Sequence, residues 1–259
     1  MFDWLPNLPV VVIALVVLAG MALLTVAIYA VVMRLAEGER GEALQAVSPG
    51  MLPPLGILFA LFVGFLAAGV WGNVDDAEDA IAEEASALRS AVLLSDDLPP
   101  ELGARVRVLI RRHIENAVDD EWPAMKEQRA SLTVISAPLA EALHFAVRAD
   151  PQGEGQTLAQ EELVTSIQDA LDARRRRIVE SESSVNAVKW VGLIALAALC
   201  LCAIALVHSG NRTTTRIAMG VFAVAVAVVI TMLAAEDEPF SGQLGIDPDV
   251  LEQVLPRAG

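Results

Sequence analysis

Four long runs of uncharged, mostly apolar residues constrain the fold more than any other feature of this sequence. They are Pro9–Met33, Met51–Val74, Trp190–Val207 and Ile217–Ala235. An α-helix rises about 1.5 Å per residue, so about 20 residues cross a hydrocarbon layer of about 30 Å. Buried core helices rarely stay apolar over such a length. We therefore predict four transmembrane helices, at residues 9–33, 52–73, 188–208 and 216–235.

The charged residues lie outside these runs. The chain has 259 residues, a mean hydropathy of +0.53 and a formal net charge of −15, a combination that is unusual for a soluble globular protein. Most of the charge falls in residues 74–186, which we predict to be an acidic helical domain. Residues 236–259 form an acidic tail, which we expect to lie along the surface.

Helical patterns fill the segment between the second and third runs. Past Trp71 no helix breaker occurs before Pro99, so the second membrane helix is predicted to continue to about Leu94. A second helix follows and is expected to end at Trp122-Pro123. Ser136 has the character of an N-cap for the next helix.

The last soluble helix is predicted from a capping box formed by Thr157 and Gln160. We expect it to continue into the third membrane helix as one rod. The predicted fold class is an all-α membrane protein, in which two transmembrane hairpins flank a helical soluble domain that is continuous with the membrane helices.

The sequence contains few of the residue patterns that enzyme active sites require. The three histidines, His113, His144 and His208, are not spaced as a metal-binding pair on one helix. No nucleophile elbow, phosphate-binding glycine loop or Cys-x-x-Cys motif is present. We therefore predict that the protein is not an enzyme, and we expect no catalytic residue, no metal site and no cofactor.

The second membrane helix carries the most informative pattern. Small residues recur at every fourth position and form a groove that suits close helix packing: Gly56, Ala60, Gly64 and Ala68. Three bulky rings lie on the other side of the helix: Phe59, Phe62 and Phe65. These rings either contact lipid and neighbouring helices or form a hydrophobic constriction around a symmetry axis.

Two charged clusters flank the membrane helices. Asp75, Asp76 and Asp79 follow the second span directly. The consecutive arginines at 174–177 could bind anionic lipid headgroups, or they could pair with the acidic helix after Trp71.

Three segments resemble the mostly bacterial bestrophin-like domain family. One is the second helix running through Trp71 into Asp76-Ala77. The others contain moderately specific motifs: Glu121, Trp122 and Pro123 in the middle domain, and Pro239, Phe240 and Gly242 in the tail. This chain has Glu238 where the family often has a basic residue before the proline.

The resemblance implies kinship with bestrophins, pentameric anion channels whose second helix lines the pore. It implies a homo-oligomer in the bacterial inner membrane, with the N-terminus, middle domain and tail in the cytoplasm. Phe59, Phe62 and Phe65 become candidates for a pore neck, and Asp75, Asp76 and Asp79 for its cytoplasmic mouth. Carboxylates there would attract cations, which leaves selectivity open. The second hypothesis is a non-conducting scaffold or signalling protein whose acidic domain binds partners.

Overall fold

The computed structural model describes residues 8–36 and 49–256. The last three residues of the predicted acidic tail, 257–259, lie outside these ranges. The described residues form helices joined by turns and loops, without a β-strand, and the predicted all-α fold class is confirmed. The α-helices, in chain order, are α1 Val10–Ala36, α2 Leu52–Leu94, α3 Pro100–Asn116, α4 Trp122–Lys126, α5 Ala137–Arg148, α6 Glu154–Ser181, α7 Ala187–Val207, α8 Arg212–Ala235 and α9 Asp249–Glu252.

Four helices in the described residues are long and apolar enough to cross a membrane: α1, the first part of α2, α7 and α8. The chain divides into two compact units. Met1–Gly72 and Ser184–Asp237 form the membrane unit, and Asn73–Ser183 with Glu238–Gly259 form the soluble unit. Helix α2 contributes to both units.

The membrane unit has two main packing clusters. In the first, Met21 and Val32 of α1 pack with Leu201 of α7 and Met219 and Val226 of α8. In the second, α2 joins α7 and α8 through residues that include Leu66, Val70, Leu193 and Leu233. Only 11% of the apolar window of α2 is buried inside the chain, so most of this span needs lipid or another protein surface around it.

The soluble unit has its own apolar core. Ile81 and Leu88 of α2 pack with Ile110 of α3 and Ile167 of α6, following the helical spacing of apolar residues in the sequence. The tail after α8 enters this core, where Phe240 and Leu251 are buried. The tail thus follows the surface over much of its described length, with Leu244 and Val250 exposed, but Phe240 and Leu251 insert into the core, which the prediction did not include. Burial of these two apolar side chains removes their surface from water, which favours this path of the tail.

Three helix boundaries differ from the predictions. Helix α6 ends at Ser181 and α7 begins at Ala187, so the two do not form one rod. The serines between them disfavour helix continuation, and the Asn186 side chain caps the new helix by accepting the Val188 N–H at 2.9 Å. Trp122-Pro123 does not end a helix, because the chain passes from α3 through a π-helical turn, Ala117–Glu121, into α4.

Of the two N-terminal caps predicted for helices of the soluble unit, one is confirmed and the other is wrong. The Ser136 N-cap is confirmed, because its hydroxyl accepts the Leu139 N–H. The capping box of Thr157 and Gln160 is wrong. Helix α6 begins at Glu154, Thr157 donates its hydroxyl to the Gly153 carbonyl, and the Gln160 amide donates to the carbonyls of Ala146 and Ala149.

Candidate functional site

The small-residue groove of α2 is an open surface of the protomer. Gly56, Ala60, Gly64 and Ala68 are all exposed. A Cβ added at Gly56 or Gly64 would meet no atom within 4 Å. Among the described residues, nothing packs into this groove. A groove of this type allows close approach of a second helix, and within the described part of the protomer it is open to lipid or to another protein surface.

The three phenylalanines of α2 have different environments. Phe59 packs against Phe222 of α8, with ring centroids 5.6 Å apart. The ring of Phe62 covers Gly192 of α7, where an added Cβ would lie 3.1 Å from Cζ. Phe65 is 70% exposed. Phe59 and Phe62 therefore belong to packing contacts within the membrane unit, and Phe65 is the ring that faces away from it.

The acidic residues after the second span lie on the part of α2 that belongs to the soluble unit. Asp75, Asp76 and Asp79 are exposed, whereas Ala77, Ala80 and their neighbour Ile81 are buried. The carboxylates thus form a solvated face of this helix.

A buried ion pair lies in the core of the soluble unit. Glu84 of α2 and Arg177 of α6 are both fully buried. The Arg177 guanidinium donates from Nε to Glu84 Oε2 at 2.6 Å and from Nη2 to Glu84 Oε1 at 3.2 Å. Burial alone would raise the pKa of Glu84, but Arg177 and His113 outweigh it and hold that pKa at about 2. Glu84 is therefore a buried carboxylate that stays ionised.

His113 completes the other side of this pair. Its Nε2 lies 2.8 Å from Glu84 Oε1, and its Nδ1 lies 2.9 Å from the Ser136 hydroxyl. A carboxylate only accepts hydrogen bonds, so the Nε2–H group of His113 is the donor to Glu84. Nδ1 and the Ser136 hydroxyl share the second hydrogen bond, so both ring nitrogens of His113 have a partner.

Glu121 joins a second arginine to the network. It accepts from Arg177 Nη2 at 2.8 Å and from Arg174 Nε at 2.8 Å. Arg174 also donates to the Val134 carbonyl at 2.9 Å and so fixes the loop before α5. Two glutamates and two arginines balance in charge, which is the condition for keeping such groups in a core.

All four arginines of the run have carboxylate partners. Arg176 pairs with Glu83 and Arg177 with Glu84, both on the acidic continuation of α2. Arg174 pairs with Glu121 and Arg175 with Asp172. Arg176 and Arg177 thus show the pairing with the acidic helix that we considered as the second possibility, whereas Arg174 and Arg175 pair with carboxylates elsewhere. A contact with anionic lipid stays a prediction.

The two family motifs meet beside Arg177. The guanidinium carbon of Arg177 lies 5.1 Å from the centroid of the Trp122 ring. Phe240 makes an edge-to-face contact with the same indole, with ring centroids 5.5 Å apart. The indole N–H of Trp122 donates to the Ile246 carbonyl at 2.9 Å.

The tail turns after Phe240. Gly242 has a φ of 74°, a left-handed conformation that suits glycine. Pro239 accepts the Ile246 N–H at 2.9 Å across that turn.

Pairing of the arginine run with the acidic helix was one of our two predictions, but it did not identify Glu84 and His113 as members of this polar core. Glu84 lies beside Ala85 and three residues after Ile81, on the side of α2 that packs into the core, and a carboxylate at such a position was the available signal. The partners Arg177 and His113 are 93 and 29 residues away, a separation at which no local pattern connects them.

A further group of carboxylates follows α8. Glu236 accepts the indole N–H of Trp71 at 2.6 Å. Asp237 accepts the Val185 backbone N–H at 2.8 Å and the Trp190 indole N–H at 3.3 Å. In the part of the chain that the structure describes, no group of three or more His, Cys, Asp or Glu side chains is arranged to hold a metal ion.

Comparisons with known proteins agree with this architecture. A crystallised point mutant of a bacterial bestrophin homologue from Klebsiella pneumoniae superposes with a TM-score of 0.66 at 13% identity, covering 92% of this chain and 96% of that one. Two structures described as membrane protein variants give TM-scores of 0.67 and 0.65 at 12% and 13% identity, and about nine tenths or more of each chain is covered. No match was found among curated proteins. The bestrophin-like domain model matches residues 19–251 of the sequence, and the chain therefore belongs to the bestrophin-like domain family.

Proposed function

We propose that this protein is a homo-oligomeric ion channel of bestrophin-like architecture, with α2 next to the conduction pathway. The single observation that carries the proposal is the free face of α2. The groove residues of α2 are exposed, and a Cβ added at Gly56 or Gly64 would meet no atom of the protomer within 4 Å. Helices bearing such grooves associate through them in membranes. A bestrophin-like fold supplies the second argument for assembly.

Phe65 is our first candidate for the pore neck. It is the one of the three rings that the protomer leaves exposed, at 70%. Phe59 and Phe62 contact α8 and α7, so we assign them a supporting role in holding α2 at the correct angle. A ring of apolar side chains around an axis gates conduction by excluding water.

We place the protein in the bacterial inner membrane, with the N-terminus, the soluble unit and the tail in the cytoplasm. This orientation comes from the family resemblance, and the selectivity of the pathway is part of the test. Exposed carboxylates at Asp75, Asp76 and Asp79 would favour cations at the mouth of a pore.

Reconstitution into planar bilayers tests this function. We expect voltage-driven currents from the purified protein. Phe65→Ala should increase leak strongly by widening the neck, whereas Phe62→Ala should alter gating only through the packing of α2. Val221→Ala, on an exposed position of α8, is the control and should leave the currents unchanged. Silent bilayers at several potentials, together with a monomeric particle in detergent, would overturn the proposal.

A non-conducting scaffold is the second candidate, favoured by the exposed carboxylates at Asp75, Asp76 and Asp79. It predicts a basic partner that is captured by the wild-type protein and lost when the three become Asn. Capture without current would select this function over the channel.

A further inference from the structure

Two consecutive carboxylates hold indoles from two different spans at the end of α8. Glu236 binds the Trp71 indole, which lies near the end of the second span, at 2.6 Å. Asp237 binds the Trp190 indole in the first turn of α7 at 3.3 Å. Trp190 also packs with Ile13 of α1 and with Ala234 and Ala235 of α8. Elements from all four spans therefore meet in this small region of the membrane unit.

The two oxygens of Asp237 have unequal partners. Oδ1 accepts the Val185 backbone N–H at 2.8 Å, and Oδ2 accepts the Trp190 indole N–H at 3.3 Å. A proton added to a carboxylate goes to one oxygen, which then becomes a donor and a poor acceptor. The oxygen with the longer and weaker bond is Oδ2, so protonation there keeps the Val185 contact and loses the Trp190 contact.

Asp237 is not an optimal side chain for stability alone. Burial raises the pKa of Asp237 above its ordinary value of 3.8, although the Val185 N–H, the Trp190 indole and Lys189 all act in the opposite direction. A raised pKa means that this residue favours the folded state below about pH 3.8 and loses that contribution as the pH rises through the raised pKa. The charged form therefore destabilises the protein at neutral pH, a cost that an asparagine would avoid.

We propose that Asp237 is a proton-operated latch on the third span: the ionised carboxylate fastens the Trp190 indole to the end of α8, and protonation of Oδ2 releases it. Lys189, exposed in the first turn of α7, acts on Asp237 and favours its ionised form. Glu236 and Glu238 are its chain neighbours, and the residues of α1 in this cluster are apolar. The latch is a property separate from ion conduction, and it can be tested without measuring ion currents.

The experiment follows the indole N–H signals of ¹⁵N-tryptophan-labelled protein in lipid nanodiscs. The chain has four tryptophans, and Trp190→Phe assigns the signal of interest. Between about pH 8 and about pH 4 we expect that signal to move upfield as its hydrogen bond is lost, with a midpoint above the ordinary pKa of aspartate. Asp237→Asn should abolish the transition.

Two exposed or partly exposed positions provide matched variants that are not expected to disturb folding. Lys189→Gln removes the cation that favours the ionised form, so the midpoint should move to higher pH. Glu236→Gln should change the Trp71 signal and leave the Trp190 transition in place. A Trp190 signal that does not change with pH, a transition that survives in Asp237→Asn, or a midpoint that stays unchanged in Lys189→Gln would each overturn the latch. None of these readouts depends on ion flow, so the latch and the channel can fail separately.

Discussion

Arg177 is the residue on which the soluble unit depends most. Its guanidinium donates to Glu84 and Glu121 and lies against the Trp122 ring, and it is completely buried. Arginine suits this position because its planar group presents several donors at fixed angles, whereas lysine offers one compact charge. The arrangement links α2, the π-helical turn and α6 through one side chain.

Arg177→Met should therefore destabilise the soluble unit by roughly 3–5 kcal/mol, because it leaves Glu84 charged and unpaired in the core. Arg175→Met is the matched control. Arg175 pairs with Asp172 at the surface, with both side chains 64% exposed, and its loss should cost about 0–1 kcal/mol. Chemical unfolding in detergent measures both, followed by the fluorescence of Trp122 in a background in which the other three tryptophans are replaced by Phe. Equal effects of the two substitutions would show that the buried network does not stabilise the unit.

The depressed pKa of Glu84 predicts an acid sensitivity with a defined sign. Its folded-state pKa of about 2 lies below the ordinary value of 4.5. The stabilisation is therefore complete above about pH 4.5 and is lost as the pH falls toward 2. We expect the melting temperature of the wild-type soluble unit to fall over this range more steeply than that of Glu84→Gln, which is less stable at neutral pH but has no carboxylate to protonate. Parallel curves for the two proteins would contradict this assignment.

At the scale of elements, α2 differs from the other three spans. Its inner face uses Leu66, Ala67 and Val70 to contact α7 and α8, and its outer face is the groove of small residues. An outer face of this kind allows the backbone of a second helix to approach closely. The same helix then continues to Leu94 and brings Glu84 into the polar core of the soluble unit.

The two faces of α2 should differ in cross-linking between protomers. In a background with Cys200→Ala and Cys202→Ala, oxidation of Phe65→Cys should give a covalent dimer on a denaturing gel, because this position faces away from its own protomer. Phe62→Cys is the control, since that position covers Gly192 within the same chain. Cross-linking at position 62 and none at position 65 would reverse our assignment of the outer face.

At the scale of the whole molecule, charge and hydropathy are strictly separated. A net charge of −15 is carried by a chain whose spans have uncharged centres. The electrostatic field of these charges therefore acts on the aqueous sides of the membrane. In an oligomer, the fields of the individual copies would add. In the proposed channel, this field would set the local concentration of ions near the pore.

Neutralising the carboxylates after the second span should lower cation conductance. We expect Asp75→Asn, Asp76→Asn and Asp79→Asn together to reduce it several-fold at low salt and much less at high salt, because screening shortens the range of the field. The control triple, Asp97→Asn, Asp119→Asn and Asp150→Asn, makes the same change in net charge at other exposed positions. An equal loss in both triples would assign the effect to net charge and not to position.

Much of this protein follows from the sequence by itself. Uncharged runs of membrane length predict the spans, because a lipid interior excludes charge and requires every backbone hydrogen bond to be satisfied within a helix. The extension of α2 to Leu94 and the Ser136 cap are likewise local, since helix periodicity and capping act over a few residues. The small-residue groove was also readable from spacing alone.

Only the tertiary structure decided the rest. Glu84 and Arg177 lie 93 residues apart, and Trp122 lies 124 residues from the carbonyl that it binds. The division of the phenylalanines between inner and outer faces, and the burial of Phe240 and Leu251 in the tail, depend on neighbours that no local pattern identifies. The physical reason is that local sequence sets helix formation and hydropathy, whereas the pairing of buried charges and rings is set by which helix faces pack together.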